Sequence, residues 1–158
     1  MLNFSENVLK LDHTAICVEK IEDALPLYRD LLGGQYLFSG DQPESGFRMA
    51  QFAYPGGSKI EVLEPLGDDS FLHKFLRERG PGVHHMTFRV KRVEELAAHL
   101  KAQGYRVVGE NYSNPHWKEA FISPVSACGT VIQLAESDMD MVEPPRHSPD
   151  LERRLRGQ

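Results

Sequence analysis

Near its start the chain alternates apolar and polar residues and then changes to helical spacing. Residues 10–18, KLDHTAICV, alternate as a half-buried strand does. Residues 20–32 then predict a helix, with Pro26 inside it as a kink or a late first turn. The predicted apolar stripe of this helix is Ile21, Ala24, Leu25, Tyr28, Leu31 and Leu32. Gly33 and Gly34 are expected to end it.

The remaining pattern predicts seven further strands and two further helices, separated by turns rich in Gly and Pro. A short linker helix is expected over 70–79, with Ser70 as its N-cap, and a second long helix over 92–103. Residues 111–117 are expected to form a loop. The predicted strands are 35–39, 47–54, 58–64, 83–90, 105–110, 118–123 and 130–136. The element order is therefore βαβββ, a linker, and βαβββ again.

An internal repeat accounts for this order. A shift of 72 residues places HTAICVEKIED (13–23) on HMTFRVKRVEE (85–95), and the same shift places KIEVLE (59–64) on VIQLAE (131–136). One offset therefore serves both ends of a module. Because each half is too small to close a good core alone, the two halves are expected to form one domain over 1–136. The modules are about 8–66 and 82–136, and 137–158 are a C-terminal tail expected to be partly mobile or to lie against a neighbouring subunit.

Strand parity separates a core face from a polar face. Thr14, Ile16 and Val18, and their repeat mates Met86, Phe88 and Val90, are expected to pack under the helices. The opposite face carries His13 and His85, and on the last strand of each module Glu61 and Gln133. Two imidazoles, a carboxylate and an amide oxygen in pairwise register predict a site for one divalent metal ion, which could be Co, Zn, Ni, Mn or Fe. His84 repeats Asp12 and is expected to face the other way, as a structural residue.

The composition of the chain disfavours some classes of binding partner. The net charge of −5 and the pI near 5.8 argue against nucleic acid and anionic membranes. No apolar run approaches the length of a membrane span, and MLNFSENVLK lacks the apolar core of a signal peptide. Cys17 and Cys128 match no zinc-cluster spacing and are expected to be free thiols in a reducing cytoplasm.

The sequence resembles the vicinal-oxygen-chelate superfamily, which includes glyoxalase I, methylmalonyl-CoA epimerase, extradiol dioxygenases and bleomycin-resistance proteins. The resemblance covers about residues 10–136 and is strongest to the epimerases, in KIEVLEPLGDDSFLHKFLRERGPGVHHMTFRV, LDHTAICV and GTVIQL. It implies an α+β fold of two tandem βαβββ modules that form a curved sheet around a metal-binding cleft. It also implies a homodimer, and metal ligands at His13, Glu61, His85 and Gln133.

The sequence departs from the epimerase pattern at two positions. The epimerases flank the acidic carbon with two carboxylates, which align here with Gln133 and Met49. Neither an amide nor a thioether transfers protons. In the repeat, Glu61 is the mirror position of Gln133. Phe121 is the mirror position of Met49, and Glu119 lies two residues from Phe121 on the same strand face. We therefore hypothesise that the proton-transferring side of the cleft has been exchanged between the two modules. Glu61 and Glu119 would then be base and acid.

Further candidates are less constrained by the sequence. His116 is a candidate acid or substrate contact, and a loop residue that only packs is the alternative. Arg89 is a candidate for a substrate carboxylate or phosphate. Cys17 has no evident base beside it and is not expected to be a nucleophile. The candidate substrate-binding residues are Arg89, Met49, Phe121 and Trp117.

Three functions are compatible with these residues. The first is a metal-dependent isomerase or lyase that moves a proton next to a carbonyl, with an acyl-CoA or a thiol adduct as substrate. The second is a non-haem Fe(II) ring-cleaving-type dioxygenase, because His13, His85 and Glu61 form a two-histidine, one-carboxylate set. The third is a non-catalytic small-molecule-binding protein of the resistance type, which the four retained ligands disfavour.

Overall fold

Two contact-defined units make up the chain in the computed structural model, which describes residues 4–138 and 149–156. We call Thr14–His84 with Pro144–Gln158 the β1–β4 unit, and Met1–His13 with His85–Glu143 the β5–β8 unit. Strand β1 (Val8–Cys17) contributes to both. The predicted domain of two modules, 8–66 and 82–136, follows the repeat rather than these units and stays a prediction.

The β1–β4 unit has the predicted βαβββ order. Its described elements are β1 (Val8–Cys17), α1 (Ile21–Leu25), a π-helical segment (Pro26–Leu31), β2 (Gln35–Gln42), β3 (Phe47–Ala53), β4 (Lys59–Pro65), the linker helix α2 (Leu72–Arg79) and α4 (Pro149–Arg156). The strand order is β2–β3–β4–β1. Strand β1 is parallel to β4, and the other pairs are antiparallel.

The β5–β8 unit repeats the plan. Its described elements are β5 (Gly82–Val90), α3 (Val93–Ala102), β6 (Val107–Asn114), β7 (Trp117–Ile122) and β8 (Val131–Glu136). The strand order is β5–β8–β7–β6, with β5 parallel to β8. The predicted α+β class and the repeated βαβββ order are confirmed.

The repeat is also visible in how each helix begins. The Ile21 N–H donates to Glu64 Oε2 at 2.8 Å, and the Val93 N–H donates to Glu136 Oε2 at the same distance. Both carboxylates satisfy a helix N–H that has no partner within its own helix. The offset of 72 that aligned Glu64 with Glu136 in the sequence therefore corresponds to a shared structural role.

Each unit has its own core, and strand parity predicted its contents. Ile16 and Val18 lie in the core of the β1–β4 unit, where Ile21, Phe52 and Val62 are fully buried. The second core is formed by Val90, Val93, Leu96, Ala97, Ala120 and Leu134, with Phe88 packed against it. The apolar faces predicted for β1 and β5 are thus on the helix side.

Three predicted elements are wrong in part. Helix α2 has Phe71 at its N-cap, one residue after the predicted cap Ser70, whose hydroxyl accepts from the Leu72 N–H at 3.3 Å. After Pro26 the helix widens into a π-helical segment, which turns Leu31 and Leu32 into solvent and shortens the predicted stripe. Gly34 follows the π-helical segment at a position with no room for a side chain, because a Cβ there would lie 2.4 Å from the Tyr28 carbonyl oxygen. The predicted loop over 111–117 is mostly strand, since β6 continues to Asn114 and β7 begins at Trp117.

The tail was expected to be partly mobile or to lie against a neighbouring subunit, and that stays a prediction. Residues 139–148 and 157–158 lie outside the described residues. The described segment forms α4, whose Leu155 is fully buried in the core of the β1–β4 unit. The Arg156 guanidinium lies 5.1 Å from the centroid of Tyr36.

Candidate metal and proton-transfer site

Four predicted metal ligands occupy matching positions on the inner strands of the two units. On β4, Glu61 is the Cα partner of Ala15 on β1; on β8, Gln133 is the partner of Thr87 on β5. His13 and His85 precede Ala15 and Thr87 by two residues on their strands and so share their faces. All four predicted ligands are more than nine-tenths buried.

His13 is held by hydrogen-bonding groups at both ring nitrogens. Its Nδ1 lies 2.9 Å from Asp12 Oδ2, and its Nε2 lies 3.0 Å from the Thr87 hydroxyl. A carboxylate only accepts, so the contact with Asp12 places a hydrogen on Nδ1. A metal bound at Nε2 would replace the contact with the Thr87 hydroxyl. The rings of His13 and His85 meet edge to face with centroids 6.0 Å apart.

Gln133 is fixed at both ends of its amide. Its Oε1 accepts from the Thr87 hydroxyl at 2.6 Å, and its Nε2 donates to Glu119 Oε2 at 2.7 Å. The same Glu119 oxygen accepts from the Trp117 indole N–H at 2.9 Å. Because the Glu119 carboxylate can only accept, the Gln133 amide atom beside it must be the nitrogen, and the Gln133 oxygen faces Thr87. The amide cannot turn over without losing two hydrogen bonds.

Glu61 has a different neighbour in its own unit. The carboxylate accepts a hydrogen bond from Gln51 Nε2 at 2.7 Å, and Gln51 is its Cα partner on β3. Gln51 Oε1 is buried and has no hydrogen-bond partner among the described residues. An orphaned polar atom beside a buried carboxylate is a feature of sites that bind something further.

Three of the predicted ligands form a group that could hold a metal ion. His13, Glu61 and His85 are buried, each offers one ligand atom, and these atoms lie within 4.8 Å of one another. Two imidazole nitrogens and a carboxylate oxygen suit a borderline divalent cation. The residues therefore fit the expected ion in their chemistry.

The strand register corrects the expected mirror of Met49. Met49 pairs with Leu63 and Gln51 with Glu61, whereas Glu119 pairs with Ala135 and Phe121 with Gln133. The inner strands keep the offset of 72 (133 − 61), but β3 and β7 are related by 70 (119 − 49 and 121 − 51). Glu119, rather than Phe121, is the mirror of Met49. Phe121 is the mirror of Gln51.

The remaining candidates are distributed over the units. Arg89 is buried on β5, donates to the Ser137 carbonyl at 2.8 Å, and lies 5.8 Å from the centroid of Trp117. Met49 is buried on β3, and Phe121 is half-buried on β7. His116 is exposed in the turn after β6, with its Nδ1 3.0 Å from Asp138.

Burial shifts the pKa values of two further side chains on the inner strands, Cys17 and His84. Burial, and secondarily Glu19, raises the pKa of the Cys17 thiol to about 12, so it is protonated at neutral pH. Cys17 and Cys128 are both free, as predicted. His84 packs against the rings of Phe71 and Phe75 in the β1–β4 unit, and burial lowers its pKa.

Sequence reasoning missed the supporting residues Asp12, Gln51 and Thr87. Thr87 lies between His85 and Arg89 on the polar face, so parity already placed it there. Gln51 carries a weaker signal, since its face follows only once the pairing of β3 with β4 is known. The hydrogen-bond partners of all three are properties of the folded chain.

Residues 12–121 match the Glyoxalase/Bleomycin resistance protein/Dioxygenase superfamily, and the chain belongs to it. The chain is 33% identical to an ethylmalonyl-CoA/methylmalonyl-CoA epimerase of Cereibacter sphaeroides, over 80% of this chain and 97% of that protein. It is 31% identical to the mitochondrial methylmalonyl-CoA epimerase of Homo sapiens, over 83% and 76%.

A crystal structure of methylmalonyl-CoA epimerase from Mycobacterium tuberculosis superposes with a TM-score of 0.73 at 31% identity, covering 92% of this chain and 93% of that one. The predicted glyoxalase-like fold and the resemblance to epimerases are confirmed. The relationships support a metal-dependent epimerase- or isomerase-like function. No helix among residues 4–138 and 149–156 is long and apolar enough to cross a membrane.

Proposed function

We propose that this protein is a metal-dependent epimerase that moves the acidic proton next to the carbonyl of an acyl-CoA thioester. The observation that carries the proposal is the strand register. The epimerase pattern has carboxylates at the positions of Met49 and Gln133, and the register mirrors of these two positions are Glu119 and Glu61. This chain thus has two carboxylates as well, but each lies at the mirror position in the other unit.

His13, His85 and Glu61 are proposed to hold the metal, with Gln133 as the fourth ligand through Oε1. Their burial and the spacing of the three acid and imidazole ligand atoms support this assignment. Gln133 Oε1 accepts one hydrogen bond from Thr87 and retains a second lone pair. A divalent ion held there would stabilise negative charge that develops on the substrate carbonyl oxygen.

In the proposed reaction one carboxylate removes the proton and the other supplies one. Glu61 takes the α-proton, the electrons of the broken C–H bond move toward the carbonyl oxygen, and the protonated Glu119 delivers a proton to the opposite face of the carbon. The reverse direction exchanges the roles. Atoms and charge balance without any further reactant, because one proton leaves the carbon and one arrives.

Deuterium exchange tests the assignment. Both epimers of methylmalonyl-CoA, the substrate named for the relatives, are incubated in D2O with the metal-loaded protein. Glu61→Gln and Glu119→Gln should each lower epimerisation by about 10²- to 10⁴-fold, the usual contribution of a general acid or base. If both variants epimerise as fast as the wild type, the acid–base assignment is wrong.

A second candidate function is supported by the same ligand set. Two histidines and one carboxylate with open positions are typical of non-haem Fe(II) oxygenases. Metal analysis and oxygen consumption with catechols separate the two functions. A protein purified without metal and inactive with either substrate would instead favour a binding protein of the resistance type.

We propose a homodimer in the cytoplasm with a small-molecule substrate, either an acyl-CoA or a thiol adduct, and no nucleic-acid partner. The proposal is supported by the relatives' substrate names, the negative charge and the two free thiols. Light scattering measures the dimer directly.

A further inference from the structure

Glu119 receives both of its hydrogen bonds on one oxygen. The Trp117 indole N–H donates to Oε2 at 2.9 Å and Gln133 Nε2 donates to Oε2 at 2.7 Å. Oε1 has no hydrogen-bond partner among the described residues. The two oxygens are therefore distinguished by their surroundings, and a proton carried by this side chain belongs on Oε1.

Trp117 is itself held in place. It lies two residues before Glu119 on β7, so both side chains share one face of the strand. The guanidinium of Arg89 lies over the indole ring, 5.8 Å from its centroid, and is anchored by a hydrogen bond to the Ser137 carbonyl. A cation over an indole is an attractive contact that limits rotation of the ring.

Among the residues that the structure describes, the β1–β4 unit has no counterpart of this contact. By the offset of 70 that relates β3 to β7, Trp117 corresponds to Phe47, which has no N–H. Phe47 instead packs edge to face on Phe71. Glu61 accepts a hydrogen bond from Gln51, an amide on the neighbouring strand. The two carboxylates are thus oriented by different means.

We infer that Trp117 is a positioning residue that aims Oε1 of Glu119 for proton transfer. The inference rests on the proposed function, in which Glu119 serves one face of the substrate carbon and Glu61 serves the other. It predicts an effect confined to one face. An epimer whose α-proton faces Glu119 depends on Trp117, and the epimer whose α-proton faces Glu61 does not.

The experiment compares exchange of the two epimers in one protein sample. Each epimer of methylmalonyl-CoA is incubated in D2O, and loss of the α-proton from the starting epimer is followed before inversion. Glu119→Gln identifies the epimer that depends on Glu119. Trp117→Phe, which gives β7 the residue found at the mirror position, should slow exchange of that same epimer by about tenfold, as expected for the loss of one hydrogen bond to a charged group.

The ratio of the two exchange rates is independent of the folded fraction, so partial unfolding cannot imitate the effect. Tyr112→Phe is the matched control: it removes a donor to the exposed carboxylate of Glu110 and should leave both rates unchanged. Equal slowing of both epimers by Trp117→Phe, or slowing of neither, would overturn the inference. If Glu119→Gln leaves both exchanges intact, the proposed function fails instead.

Fluorescence tests the contact without turnover. Trp117 is the only tryptophan in the chain, so its emission reports this position alone. Glu119→Leu removes the acceptor of the indole N–H and should shift the emission maximum, whereas Glu110→Leu should not. An unchanged emission in Glu119→Leu would contradict the contact on which the inference depends.

Discussion

The β1–β4 and β5–β8 units have the same strand order and the same helix-capping carboxylate, yet they carry different chemistry at equivalent positions. Ala15, Glu61 and Met49 in one unit correspond to Thr87, Gln133 and Glu119 in the other. Each unit thus has one carboxylate among these positions, on different strands. The two units therefore share a backbone plan while their carboxylates occupy non-equivalent positions.

The largest expected effect comes from moving the carboxylates back. Glu61→Gln alone should lower epimerisation by about 10²- to 10⁴-fold. Adding Gln133→Glu and Met49→Glu recreates the usual pair and should recover most of that loss, measured as turnover of methylmalonyl-CoA. The control carries Met49→Gln in place of Met49→Glu. A folded triple variant no more active than Glu61→Gln would contradict the mirrored arrangement.

The two cores offer a second contrast, in stability. Phe52 is fully buried, and its register mirror Ile122 is only partly so. Phe52→Ala should lower the free energy of unfolding by about 3–5 kcal/mol, and Ile122→Ala by roughly 2 kcal/mol, because a cavity costs most where no solvent can enter. Urea unfolding measures both. Equal losses would show that the cores are packed alike.

The helix starts should behave alike in the two units. Glu64→Leu and Glu136→Leu each remove an acceptor from a helix N–H, at an expected loss of about 0.5–2 kcal/mol. Exposed Glu78→Leu serves as the control and should change stability less. Thermal unfolding compares the three variants. A loss of stability in only one of the two variants would show that the two carboxylates share a position but not an energetic role.

The smallest expected effect is a pH dependence from His84, the repeat mate of Asp12. Burial, with Arg79 as a second cause, lowers the pKa of His84 below its ordinary value of 6.5. The unfolded chain therefore binds a proton more readily, so the contribution to stability is present above about pH 6.5 and is lost as the pH falls below it. Urea unfolding at pH 7.5 and 5.5 measures the change.

His84→Phe should flatten this dependence, since the ring already packs against Phe71 and Phe75. The variant removes the titrating group and retains an aromatic ring. A variant whose stability falls with pH as steeply as that of the wild type would assign the pH dependence to other groups.

The grouping of the candidate metal ligands was predictable because it depends on short-range rules. Successive residues on a strand face opposite ways, and one offset of 72 related both ends of the module. Those two facts placed His13, His85, Glu61 and Gln133 together, and the buried group of His13, Glu61 and His85 agrees with them. The same rules gave no information on the hydrogen-bond partners of Asp12 and Gln51, which depend on side-chain contacts.

The sequence by itself determined the βαβββ repeat, the two faces of the inner strands and the departure at Met49 and Gln133. Only the tertiary structure decided that Glu119 mirrors Met49. Seven residues separate the paired Phe52 and Ile60 (53–59), but nine separate the paired Ile122 and Ile132 (123–131). Hairpin register is set by the length and geometry of the connecting turn. The offset of 72 measured on the inner strands is therefore wrong by two residues for β3 and β7. An error of two residues leaves a side chain on the same face of its strand but assigns it the wrong mirror residue.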